Sequence, residues 1–217
     1  MNRKRPNIQA RKLISRRALL MGTGGVLMAR PAMAALLPTP DEIDGPFYPL
    51  RKPKDSDIDL TQIAGHTERA KGDVIEVMGR LLLVSGAPLA DMQVELWQAN
   101  SFGDYAERTT RLPPKSDPNF QGFGAMTTDK TGAFRFYTIK PAPYDLGRGQ
   151  IRTPHIHFMV RAKGKEIFTT QMYFPGERLN KQDPLLIMQG SKSRRNRMIS
   201  RKDKSEASRY LFDIVLE

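Results

Sequence analysis

The stretch Arg152-Thr-Pro-His155-Ile-His157-Phe-Met-Val160 holds two of the only three histidines in 217 residues. In an extended segment side chains alternate between faces, so His155 and His157 share one face while Ile156 and Phe158 take the other. Two imidazoles separated by two residues' rise can ligate one ion. Pro154 suits the first position of a strand, where its missing N–H costs least. A pair of half-exposed histidines on a polar face fits the fragment equally well. Cysteine is absent, which excludes disulfides, iron–sulfur clusters, thiolate zinc sites and cysteine nucleophiles. Any metal must therefore be held by nitrogen and oxygen.

The elements that would position this pair read as short strands and turns. Val74 to Val84, Met92 to Ala99, Ala133 to Thr138, Glu166 to Phe174 and Arg209 to Leu216 are rich in β-branched, leucine and aromatic residues. Turns at Ser85-Gly-Ala-Pro88 and Asp129-Lys-Thr-Gly132 separate them,. This pattern predicts an all-β fold, a β-sandwich of mainly antiparallel strands with few or no long helices. Two connections are long for such a domain, Asn100 to Gly124 and Ile139 to Pro154. Long ordered loops on a sandwich are where sites tend to sit.

The net charge of +12 invites a nucleic-acid reading, but residues 1–34 hold eight Lys/Arg and no acid, leaving +4 for the rest. That segment reads as an address. Ser15-Arg16-Arg17-Ala18-Leu19-Leu20 precedes an apolar run from Ala18 to Ala29 and an Ala32-Met33-Ala34 cleavage site,. The run is shorter than the roughly 20 residues needed to span a bilayer. Paired arginines ahead of a mildly hydrophobic core resemble a twin-arginine export signal. The expectation is a signal peptide over 1–34, a single domain over 35–217, and a periplasmic or secreted mature protein. The run Lys192 to Lys204, with seven basic residues and one acid, reads as a solvated loop. It has no interleaved aromatics, so no nucleic-acid partner is expected.

Six segments in order carry a resemblance over most of the chain. They are Asp44-Gly-Pro-Phe-Tyr-Pro49, Val94 to Tyr105, Asp117 to Gly124, Thr138 to Tyr144, Arg152 to Phe158 and Thr170 to Glu177. Together they resemble the intradiol ring-cleavage dioxygenases, and within them the protocatechuate 3,4-dioxygenase subunits. The resemblance implies one ferric ion, Fe(3+), held by Tyr105, Tyr144, His155 and His157. It implies Arg152 and Gln171 in the substrate pocket, with Tyr144 as a catalytic ligand that takes up a substrate proton. The implied reactants are an aromatic vicinal diol and O2, and the implied product is a muconate-type diacid. It also implies a homo-oligomer, or a pairing with an unlike subunit, and the signal implies the twin-arginine export machinery as a partner.

Phenolate is a hard anionic donor that favours Fe(III), and imidazole completes a sulfur-free set. The spacing of 39 residues between Tyr105 and Tyr144, with the histidines 11 and 13 beyond Tyr144, suits two loops and one strand converging on one ion. After Tyr144 the sequence departs from the protocatechuate pattern, with Asp145 and Leu146 in place of a proline and an aromatic residue. Two other readings stay open: a non-catalytic β-sandwich binding module, and an Fe(II) or zinc site of two histidines with Asp104 or Asp145. Trp97 reads as core, and His66 is assigned no role.

Overall fold

The computed structural model of the chain describes residues 35–106, 117–147 and 149–217. The signal segment 1–34, and part of the first long loop, lie outside the described residues. Two sheets form a sandwich. In the first, β1 (Val74–Leu83) lies between the antiparallel β4 (Ala133–Ile139) and the parallel β10 (Arg209–Leu211), with β9 (Arg201–Lys202) beyond. Short β11 (Ile214–Leu216) runs parallel to the far end of β1. The second sheet has the order β3 (Phe123–Thr127), β2 (Gln93–Trp97), β7 (His155–Ala162), β8 (Lys165–Tyr173), all antiparallel. A two-stranded hairpin, β5 (Tyr144–Asp145) with β6 (Ile151–Arg152), stands beside it.

The faces follow from two-residue alternation. Val94, Leu96, Ile156, Phe158, Val160 and Met172 point inward from the second sheet. They meet Ile75, Val77, Leu81, Phe134, Phe136 and Ile214 of the first in one buried cluster. Every one of these is at most 4% exposed, so the inter-sheet core is closed and rigid, as interiors packed to crystal density are. The outer face of the same sheet carries a second set, because Trp97 lies opposite His157 and His157 opposite Gln171. This face is covered by loops rather than by another sheet.

Two expectations are corrected. Arg209 to Leu216 is not one strand. Asp213 Oδ1 accepts the Arg80 N–H at 2.9 Å and Phe212 N–H donates to Met78 O at 2.9 Å, so the chain breaks between β10 and β11. The Lys192–Lys204 run is not simply a loop. It contains α2 (Lys192–Asn196), capped by Ser191, and β9. Its arginines are partly spent on structure: Arg197 Nε donates to Pro38 O at 2.8 Å and Arg195 Nη1 to Gly190 O at 2.6 Å. The other helices are equally short: a 3-10 turn (Arg178–Lys181) and α1 (Pro184–Met188), which starts at the N-cap Asp183.

Candidate metal centre and substrate pocket

Strand β7 enters from Pro154 and turns His155 and His157 to the outer face, their rings 5.0 Å apart. Both are 2% exposed, so the half-exposed alternative does not hold. His155 Nδ1 lies 2.6 Å from Thr153 O. A carbonyl only accepts, so Nδ1 carries the proton and Nε2 presents its lone pair. That nitrogen is 3.4 Å from the Tyr105 hydroxyl. His157 is held differently, by stacking on Trp97 at 4.7 Å and 16°, and its Nδ1 is buried with no hydrogen-bond partner among the described residues.

The two tyrosines come from the long loops. Tyr105 follows β2 by a tight turn, in which Asn100 Oδ1 accepts the N–H groups of Phe102 and Asp104. Tyr144 opens β5, directly opposite Arg152. Their rings meet edge-on at 5.5 Å, and Tyr144 lies 5.6 Å from His155 while Tyr105 lies 6.1 Å from His157. Gly103 permits this meeting. Its φ is +83°, and a Cβ there would stand 2.6 Å from Pro143 O, a contact no side chain could relieve.

The segment Asp44 to Pro49 roofs the cluster. Phe47 stacks on Tyr105 at 4.7 Å, and Tyr48 packs edge-on against Trp97 at 5.0 Å. Tyr48 also donates to Glu95 Oε2 at 2.7 Å, and the other oxygen of this fully buried carboxylate pairs with Lys52. An ion pair on the sheet's outer face thus pins the aromatic roof. Trp97, read from sequence as core, packs directly against a site histidine.

Electrostatics agree with the geometry. Burial, and then the charge of Arg152, hold His155 well below its ordinary pKa, and burial with His155 and Arg152 does the same to His157. Both imidazoles are therefore neutral, as ligands must be. Burial pushes Tyr105 well above its ordinary value, with Tyr144 adding to the rise and Arg152 opposing it. A cation among these four groups reverses that balance for the phenols. Two neutral imidazoles and two phenols converging in a dry site fit a hard ferric ion. The described residues contain no group of three or more His, Asp or Glu arranged for a metal, so a histidine–carboxylate site finds no support in them.

Arg152 stands beside this cluster, 3% exposed. Its Nε donates to Asp183 at 2.8 Å, and its Nη2 donates to Gln171 Oε1 and to Tyr173 Oη. Nη1 makes no hydrogen bond among the described residues. Burial would lower its pKa, but Tyr173 and Asp183 outweigh that and raise it. Gln171 accepts from Arg152 and Tyr173 and donates to Ile43 O at 3.2 Å, so its amide is largely committed to holding neighbours. All six residues singled out from sequence thus meet in one place. Sequence reasoning missed Asp183, Tyr173, Phe47 and Glu95. Only Tyr173 had a usable signal, two residues beyond Gln171 on the same strand face. His66 lies apart from the cluster, bonded to Asn119 at 2.9 Å.

A family profile described as Dioxygenase matches residues 43–217. The protocatechuate 3,4-dioxygenase beta chain of Burkholderia cepacia is 41% identical over 170 residues, covering 74% of this chain and 71% of its own length. Catechol 1,2-dioxygenase 2 of Acinetobacter lwoffii is 31% identical over 64% of this chain, and the chain spans only 52% of that relative. Among solved structures, the dioxygenase domain of a dioxygenase carbohydrate-binding fusion from Streptomyces sp. SirexAA-E superposes with a TM-score of 0.60. That domain is 28% identical, and the match covers 83% of this chain and 98% of the domain. The 3-chlorocatechol 1,2-dioxygenase of Rhodococcus opacus 1CP shares the fold with a TM-score of 0.62 over 82% of this chain and 71% of its own.

Proposed function

The chain belongs to the intradiol ring-cleaving dioxygenases, a family that uses non-heme iron, and from that premise we propose that it cleaves a catechol-type diol with O2. The bond broken lies between the two hydroxyl-bearing carbons, and both oxygen atoms end in a cis,cis-muconate-type diacid. The observation that carries this reading is the convergence of Tyr105, Tyr144, His155 and His157, with Arg152 buried beside them.

In this reading the four side chains hold Fe(3+), which when bound supplies Lewis acidity toward both diol oxygens. Tyr144 Oη accepts one diol proton as substrate enters. Tyr105 and the two histidines stay in place, fixed by Phe47, by Thr153 O and by Trp97. Nη1 of Arg152 faces the negative charge that spreads over the ring, a fixed cation in a site of low dielectric. Gln171 keeps the guanidinium in plane. Phe47, Tyr48 and Trp97 exclude water from the reacting carbons.

The substrate is a small aromatic vicinal diol. Asp145 and Leu146, beside Tyr144, mark where its selectivity departs from the protocatechuate enzymes. Export by the twin-arginine route to the periplasm or beyond is proposed from Ser15 to Leu20 and Ala32 to Ala34, since that route carries proteins folded around their cofactors. Assembly as a homo-oligomer is proposed, with an unlike partner subunit as the alternative suggested by the similarity to a beta chain.

The test is oxygen uptake by iron-loaded protein against catechol, protocatechuate, hydroxyquinol and substituted catechols. One O2 consumed per diol, with both labelled oxygen atoms found in the diacid, is the expected result. Absence of uptake with every diol would leave the binding-module reading in its place.

A further inference from the structure

Asp183 is fully buried, and its carboxylate accepts four hydrogen bonds. Oδ1 accepts the N–H groups of Leu185 at 3.1 Å and Leu186 at 3.0 Å, capping α1. Oδ2 accepts Arg152 Nε at 2.8 Å and the Thr153 N–H at 2.9 Å. On the other side of Thr153, its carbonyl accepts from His155 Nδ1. One carboxylate thus touches the buried guanidinium and, through a single residue, the backbone that orients an imidazole.

A cap alone does not call for this residue. Serine, threonine or asparagine caps a helix as well, and a buried carboxylate is costly unless a cation matches it. The second oxygen is spent on Arg152. The guanidinium is planar, and it is held at two edges, Nε by Asp183 and Nη2 by Gln171 and Tyr173. Two edges fix a plane, and the remaining Nη1 is left for a ligand.

We propose that Asp183 is a positioning residue for ring cleavage: it fixes the plane of Arg152 so that Nη1 faces the diol, and through Thr153 it sets the lone pair of His155 toward the metal. The proposal rests on the reading of Arg152 and His155 given above. It makes α1, an element remote in sequence from the strand it supports, part of the catalytic apparatus.

The experiment compares Asp183→Asn, Arg152→Gln and the double variant in the full iron-loaded chain, with catechol as substrate. Asparagine keeps the cap but offers an N–H where Arg152 needs an acceptor. Turnover per bound iron should fall about 10–100-fold, the usual range for residues that orient a metal site, and the double variant should lose much less than the product of the two single losses. Iron affinity by chelator competition should also weaken in Asp183→Asn, a shift that loss of a helix cap would not cause. If Arg152→Gln turns over like the parent, the reading of Arg152 fails and this proposal fails with it. If Arg152→Gln is slow but Asp183→Asn keeps parental turnover, or if their losses simply multiply, only the Asp183 proposal is overturned. Should the asparagine variant not fold, Asp183→Glu keeps the charge on a longer arm and must show the same non-multiplying loss.

Discussion

Arg152 is the residue whose chemistry is most committed by its surroundings. Desolvation works against its charge, yet Tyr173 and Asp183 hold it protonated throughout the accessible pH range. Replacing it with glutamine leaves Asp183 a buried unpaired carboxylate and removes the cation facing the ring. Turnover should fall by about 10²–10³, the scale of losing one preorganised electrostatic donor, with a smaller change in KM, measured by oxygen uptake. The phenols carry a pH prediction with a definite sign. Burial keeps Tyr105 protonated well past its ordinary value, whereas His155 and His157 are pushed well below theirs and have no proton to lose at neutral pH. Binding iron must therefore release the phenolic protons, roughly two per ion, so affinity climbs as pH rises. Chelator competition between pH 6 and 8 checks this, and a flat profile would contradict tyrosinate ligation.

At the scale of elements, the sandwich core and the site are separable because they occupy opposite faces of one sheet. Phe158→Ala, on the inner face, should cost about 3–5 kcal/mol of stability. In chemical denaturation it should unfold earlier while the folded protein keeps its visible spectrum. Gly103→Ala has the opposite profile. The new Cβ would meet Pro143 O at 2.6 Å, prising the Tyr144 loop from the Tyr105 loop, so bound iron per chain should drop sharply with only a small shift in the thermal midpoint. The strands were legible because two-residue alternation and Gly/Pro turns are local signals. The break at Phe212-Asp213 was not, since it depends on Asp213 reaching Arg80, 133 residues away. Asp183 was hidden for the same reason: nothing in its local sequence marks it, and only the fold brings it to Arg152.

For the molecule as a whole, the site draws on segments spread from Ile43 to Asp183, all within the residues 43–217 of the family match. The stretch just before it is integrated too: Leu36 N–H donates to Val84 O and Thr39 N–H to Val215 O, both within 2.9 Å. A chain starting at Ala35 should therefore fold and bind iron as the full chain does, which calorimetry of both forms would compare. The four positions proposed to hold the metal were legible together only as an ordered set of motifs. Singly, a loop tyrosine or a strand histidine has no distinguishing pattern, and the aromatic roof of Phe47 and Tyr48 is set by the buried Glu95, paired with the exposed Lys52, which sequence does not reveal. The central claim is that Tyr105 and Tyr144 bind the metal as phenolates. Its most direct test is the visible absorption spectrum of the iron-loaded protein, recorded beside its metal content and repeated with Tyr105→Phe and Tyr144→Phe. The account predicts about one iron per chain, a broad phenolate-to-iron charge-transfer band that shifts when catechol is added without oxygen, and loss of part of that band in each variant. A colourless iron-loaded protein, or a band unchanged by both substitutions, would contradict it.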